Sequence, residues 1–308
     1  MFKIKHLTLL SFTIIALTLA GCKSQFEKIR LSNDIVKKNQ EAMRLYNKKS
    51  YAKALILFED LSQKYRGRDG AQQLNYYYAM TLFKLRDYTT AWYQFKVFAD
   101  TYPQSEYAEE CRYMTAYCYY LESPEASLDQ ENTRKAIDAL QLFINFYPTS
   151  ERAADATKYI TILRSKLEDK AFANAKMYYE LGGYDITNYK SAVIALKNAQ
   201  IEFPDIKYAD EMDLLIVKSQ FEYAKNSLEI RQEDRYNEAI TYADEFIESH
   251  PESPYLAEAK TLKKNSEEGI TNVKNFFATQ TALNEKYKAQ LSKEQKKTAD
   301  TTIKTPIK

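Results

Sequence analysis

Few side chains in this 308-residue chain could carry covalent chemistry. The thiol and imidazole groups are Cys22, Cys111, Cys118, His6 and His250. His250 precedes Pro251, a slot that other stretches of the chain fill with Tyr102, Tyr147 or Phe203. A histidine-based triad would therefore have to be built on a repeated aromatic position. Two histidines are too few for a histidine zinc site, and cysteines seven apart lack ligand spacing. No glycine-rich phosphate loop is present. Cys111 and Cys118 fall on one predicted helix, where seven residues span ~10.5 Å. That exceeds the roughly 7 Å reach of a disulfide, so both are expected to be reduced and packed. A two-carboxylate hydrolase needs no other signature, which leaves that chemistry open among the 42 acidic residues. Charge on solvated helix faces accounts for those acids better. The expectation is a protein that is no enzyme and uses no metal or cofactor.

Cys22 is different. Lys3 and Lys5 open the chain, and an apolar run follows from Leu7 to Ala20. This is a signal peptide over residues 1–21, too short to span a bilayer. It ends Leu19-Ala20-Gly21-Cys22, which closely resembles the bacterial lipobox. That resemblance implies cleavage before Cys22 and a lipid thioether on its sulfur, the palmitate-type attachment of a lipoprotein. Two or three acyl chains anchor stably where one does not, at about 0.8 kcal/mol per buried CH2. Removing Lys3 and Lys5 leaves 42 basic against 42 acidic residues of the original 44 and 42. A neutral body lacks the positive field of a nucleic-acid binder.

One phrase recurs through the rest. It reads Tyr51-x-x-Ala54-Leu55-x-x-Phe58-x-x-Leu61-x-x-x-Tyr65. It returns around Ala91, Ala136, Ala192 and Ala239, and in these four copies a proline (103, 148, 204, 251) stands twelve residues after the alanine. In the first copy Arg66 takes that place. Apolar residues at steps of three and four mark one face of a helix, and proline ends it. The interval from Ala54 to Ala91 is 37 residues, near the roughly 34-residue tetratricopeptide period. Ala42 and Ala79 lie twelve residues before their anchor alanines, the spacing of small residues between the two helices of such a repeat. The predicted fold is all-α: a tetratricopeptide-repeat (TPR) solenoid of five helix pairs plus a C-terminal helix. The third pair holds an insertion over Leu121–Gln130, and the fourth is lengthened around Gly182-Gly183-Tyr184-Asp185. The organisation reads as a lipidated linker over 22–32, repeats one to three over 33–158, repeats four and five over 159–268, and a helix with a disordered Lys-rich tail over 269–308. A helix is expected from Leu256 to about Gln290, with Gly269 as a break. The linker reaches at most ~36 Å if fully extended, which would hold the first repeats near the bilayer.

The chain at this point resembles the BamD family of outer-membrane lipoproteins, part of the β-barrel assembly (BAM) machinery. The likeness rests on the lipobox leading into five repeats, on Ser123-Pro124-Glu125 … Asp129-Gln130-x-x-Thr133-Arg134-x-Ala136, and on Leu167-Glu168-Asp169-Lys170 through Tyr178-Tyr179 to Gly182-Gly183. It runs from Cys22 to about Gly269; Arg66 and the C-terminal extension depart from it. The resemblance implies a protein-assembly scaffold anchored through lipid on the periplasmic face of the outer membrane. Its implied partners are the periplasmic (POTRA) domains of a β-barrel insertase and unfolded outer-membrane protein clients, with no nucleic acid. A different TPR lipoprotein scaffold, serving the cell envelope, division or glycan uptake, is the alternative.

Only Cys22 carries over from the resemblance as a functional position. The residues themselves suggest a peptide groove. In a TPR stack the first helix of each pair builds the concave surface, and counting from Ala42, Ala79 and Ala116 places Asn39, Met43, Tyr76, Met80, Tyr113 and Tyr117 toward it. Aromatic and methionine side chains suit a sequence-tolerant peptide site; packing between pairs is the competing role for each. Trp92 takes a slot filled elsewhere by Leu, Ile or Val and is assigned to packing. Asp129 and Gln130 suit a helix cap, or the end of a partner-binding loop.

Overall fold

The computed structural model describes residues 25–303. The leader, Cys22 and residues 304–308 lie outside the described residues, and so do the expectations that fall on them. Every described element is a helix. A short helix α1 (Gln25–Arg30) precedes five pairs. They are α2 (Ile35–Asn47) with α3 (Tyr51–Lys64), α4 (Ala71–Lys84) with α5 (Tyr88–Thr101), α6 (Ala108–Glu122) with α7 (Glu131–Phe146), α8 (Ala153–Leu181) with α9 (Thr187–Glu202), and α10 (Ala209–Lys225) with α11 (Glu229–Ser249). A last helix, α12, runs from Leu256 to Ile303. It continues through Gly269 and past Gln290, through a stretch of Lys, Glu, Gln and Ala that favours helix. The chain forms two compact units, which divide within α8 between Lys166 and Leu167. This arrangement is the all-α, TPR-like one that the repeat predicts.

The repeat has a direct physical meaning. All five anchor alanines, and Ala42, Ala79 and Ala116 opposite the first three, are completely buried. A methyl group at the crossing lets two helices approach, and Phe58, Phe95, Leu140, Leu196 and Phe246 fill the adjoining space. The four proline-ended helices stop alike. Tyr102, Tyr147, Phe203 and His250, the residues before the prolines, take φ between −125° and −132° and ψ between 57° and 79°. Each still donates its N–H to the carbonyl four residues back, at 2.8–2.9 Å. Where Arg66 replaces proline, Tyr65 stays helical at φ −91° and ψ −2°. The chain turns instead through Gly67 and Gly70, both at positive φ.

Cys111 and Cys118 are free and buried in the core of the first unit. Burial pushes both thiols up, Cys118 to about 12, so they pack as small apolar groups rather than as nucleophiles.

Candidate functional site

The first unit brings the tyrosines of successive leading helices together. On α6, Tyr113, Tyr117 and Tyr120 fall at steps of four and three, so their rings share one face. Tyr113 stacks on Tyr117 (centroids 5.9 Å), and Tyr117 on Tyr120 (5.8 Å). Tyr159 of α8 closes the group against Tyr120 at 4.2 Å and Tyr117 at 5.5 Å. Phe83 of α4 meets Tyr117 from the other side at 6.1 Å. A parallel set joins α2 to α4: Tyr46 lies 4.9 Å from Tyr77, and Tyr77 lies 5.2 Å from Tyr76.

A charged network supports this band from below. Tyr76 stacks on Tyr107 at 4.3 Å and donates its hydroxyl to Glu110 Oε2 at 2.7 Å. Arg152 donates to the other Glu110 oxygen at 3.1 Å, and its guanidinium lies 4.6 Å from the centre of the Tyr113 ring. Glu110 of α6 thus ties α4 to the start of α8. Burial, reinforced by Glu110, pushes the Tyr76 hydroxyl well above the ordinary tyrosine range, and burial raises those of Tyr113 and Tyr117.

The six groove residues named from the sequence divide by exposure. Tyr76 and Tyr113 are 8% and 5% exposed and belong to the core. Asn39, Met43, Met80 and Tyr117 are half-buried, with surface to offer. Among the described residues, Asn39 Oδ1 is the buried side-chain atom that finds no hydrogen-bond partner. Tyr77, Tyr120 and Tyr159 join the half-buried band, although sequence reasoning does not single them out. The Tyr113-Tyr117-Tyr120 spacing is the signal that points to Tyr120 and, through it, to its partner Tyr159. Trp92 packs as assigned, half-buried and stacked at 4.7 Å on Tyr119.

The third-pair loop is built around one side chain. Gln130 is 1% exposed. Its amide donates to the carbonyls of Glu125 (2.8 Å) and Leu128 (3.0 Å), and its carbonyl accepts from Thr133 Oγ1 at 2.7 Å. Ser123 meets Thr133 at 2.7 Å, and Lys166 donates to the Ser123 carbonyl at 3.1 Å. Asp129 accepts from the Glu131 N–H at 2.9 Å, so Asp129 caps while Gln130 folds the loop. Leu128 is left exposed beside them. Both Asp129-Gln130 and Thr133 belong to the stretch that carries the family likeness.

The family model for "YfiO: Outer membrane lipoprotein" matches residues 34–185, from the cap of α2 to the end of α8. Over that segment, 152 of its 308 residues, the chain is similar to the YfiO family. Two relatives bear the name outer membrane protein assembly factor BamD. The protein from Rickettsia prowazekii (strain Madrid E) is 25% identical over 165 residues, which covers 54% of this chain and 66% of that protein. The protein from Caulobacter vibrioides (strain ATCC 19089 / CIP 103742 / CB 15) is 31% identical over 85 residues, 28% of each chain. The matched segments thus span just under two thirds of the first relative and about a quarter of the second. The family match takes in the tyrosine band and the Gln130 loop, which makes them the parts of this chain to examine for shared function.

In the second unit, His250 occupies the slot before its repeat proline and engages α10 with both nitrogens. Nδ1 lies 3.0 Å from Asp210 Oδ1 and Nε2 lies 2.8 Å from Asp213 Oδ2. The ring works here as a brace between the end of α11 and the start of α10. Among the described residues, no group of three or more His, Cys, Asp or Glu side chains is arranged to hold a metal. No described helix is long and apolar enough to cross a membrane.

Proposed function

We propose that this protein is an assembly factor for outer-membrane proteins: a non-catalytic scaffold, lipid-anchored through Cys22 on the periplasmic face of the outer membrane. In this reading its later repeats bind the POTRA domains of the β-barrel insertase. Its first three pairs receive C-terminal peptides of unfolded clients. The observation that carries the reading is the similarity to proteins named as assembly factors. The tyrosine band supports the client role. Rigid rings held by Glu110 and Arg152 offer large contact area at small entropic cost, and Met43 and Met80 add adaptable surface beside them. Tyr76 and Tyr113 are supports for that surface, while Tyr117, Tyr120 and Tyr159 make contact.

Affinity purification of the detergent-solubilised protein from its own envelope tests the scaffold role. A β-barrel insertase should be among the specific partners, and its absence would overturn the reading. For the peptide site, Tyr117→Ala combined with Met80→Ala should cut photocrosslinking to an aromatic-ended client peptide about tenfold, the loss of about 1.4 kcal/mol. Unchanged crosslinking sinks the groove while leaving the scaffold role standing. In cells lacking its partners, Cys22→Ser should leave the fold intact and release the protein from the outer-membrane fraction.

A further inference from the structure

From residue 274 to 293, α12 has no covering among the described residues. Val273 is buried, and every residue from 274 to 293 is exposed. Yet this stretch is not uniformly polar. Phe276, Phe277, Leu283, Tyr287 and Leu291 are all exposed, Tyr287 to 63%. At roughly 100° per residue, Val273, Phe276, Leu283, Tyr287 and Leu291 fall within an arc of about 80°, with Phe277 at its edge. Lys286 and Lys288 flank the arc on opposite sides, and Lys274 and Lys293 lie behind it. Glu285 is the single acid from 274 to 293, and Lys274 is already paired with Glu233 at 3.1 Å.

The charge of the chain is segregated here. Of its 44 basic and 42 acidic residues, eight and three lie beyond Val273, and Lys3 and Lys5 lie in the leader. Residues 22–273 therefore hold 34 basic against 39 acidic residues. The body is mildly acidic, and the terminal helix is where an anionic surface would be attracted.

We propose that α12 from Phe276 to Leu291 is a membrane-surface helix that lies in the interface of an anionic lipid layer. An apolar arc flanked by lysines is the pattern that seats such a helix: rings and leucines enter the acyl boundary while lysine stems reach back to headgroup phosphates. Two other occupants fit less well. In a paired copy of the same helix, Lys286 and Lys288 would flank the seam of both partners with like charge. In a dry protein groove, Gln280, Asn284 and Gln290, which lie on or beside the arc, would need exact hydrogen-bond partners. At headgroup depth those amides meet water. The inference goes beyond the assembly reading and needs neither insertase nor client.

The test uses residues 22–308 with Cys22→Ser, which keep all the described structure and remove the lipid anchor. Tyr287→Trp supplies a reporter, and Trp92, held against Tyr119, gives a constant background. On vesicles of phosphatidylcholine with roughly a third phosphatidylglycerol, emission from the introduced indole should shift to the blue. Brominated acyl chains should quench it at least threefold more than in pure phosphatidylcholine vesicles. Changing Lys286, Lys288 and Lys293 together to Glu should abolish both effects, and Phe276→Ser should weaken them, with helical circular dichroism unchanged. Equal signals on neutral and anionic vesicles, or none on either, would overturn the proposal. So would a blue shift that needs no lipid and grows with protein concentration or with an added acidic protein. Because Cys22 is absent from the experiment, failure leaves the assembly reading untouched.

Discussion

Gly269 shows how a single residue can be misread from sequence. Glycine within a polar helical stretch suggests a break, but the helix passes through it. A Cβ there would lie 2.5 Å from Cζ of Tyr236, whose ring is buried. Gly182 plays the same part under Tyr189, where a Cβ would lie 2.2 Å from the ring. Both tyrosines open copies of the repeated phrase, so the glycines belong to the packing of the last two pairs. Gly269→Ala pits a helix-propensity gain of about 1 kcal/mol against overpacking of about 1–3 kcal/mol. Because Tyr236 is buried and held in place, the clash should win. The variant should lose about 1–2 kcal/mol in denaturant unfolding, and Tyr236→Leu should restore part of it. A more stable Gly269→Ala protein would mean that the ring can move. Gln130 makes the complementary case. Gln130→Ala leaves the Glu125 and Leu128 carbonyls without their donor inside a folded loop. Its expected cost is about 2–3 kcal/mol, together with faster amide exchange from 123 to 133. An unchanged melting temperature would show that water replaces the amide.

At the scale of the element, local chemistry explains both what the sequence reveals and what it hides. Alanines at fixed spacing, aromatics three and four residues apart and a proline at a constant distance each have one local cause. They foretell ten of the helices and the shape of four helix ends. The groove residues are harder. Tyr76 and Tyr117 look alike on a helical wheel, and only the neighbouring helices decide that Tyr76 is roofed by Tyr107 while Tyr117 keeps its surface. The same limit hides Tyr77 and Tyr159, whose partners are distant in sequence. The first two pairs also contain a local cost that no pattern announces. Lys49 and Arg86 close α2 and α4 in the left-handed conformation, at φ 58° and 64°. That conformation usually belongs to glycine and costs a side-chain-bearing residue about 1 kcal/mol. Arg86→Gly should therefore stabilise the first unit by about 0.5–1 kcal/mol, less than the full strain because glycine also loosens the unfolded chain. A fall in the denaturation midpoint would show that the Arg86 side chain makes a contact worth more than the strain.

At the scale of the whole molecule, 26 tyrosines make the protein's stability a function of alkaline pH. Burial raises the hydroxyls of Tyr46, Tyr76, Tyr78, Tyr113, Tyr117 and Tyr159 in the first unit, and of Tyr179, Tyr189 and Tyr236 in the second. Tyr46 is pushed up to about 12. In the unfolded chain each titrates near 10. The folded state thus holds protons that the unfolded state releases, and linkage makes unfolding easier as pH rises. The stabilisation is complete below about pH 10 and is lost progressively through the raised values above it. Lysine ion pairs weaken over the same range, so a falling denaturation midpoint alone would not identify the tyrosines. Absorbance at the tyrosinate band does. The buried Tyr76, Tyr113, Tyr189 and Tyr236 should ionise only together with helix loss, because the packing around them must open before their hydroxyls can release their protons. A single reversible titration of all the tyrosines with the helices intact would mean that the band is open to solvent. It could not then be the rigid, preformed surface on which the client-binding role depends.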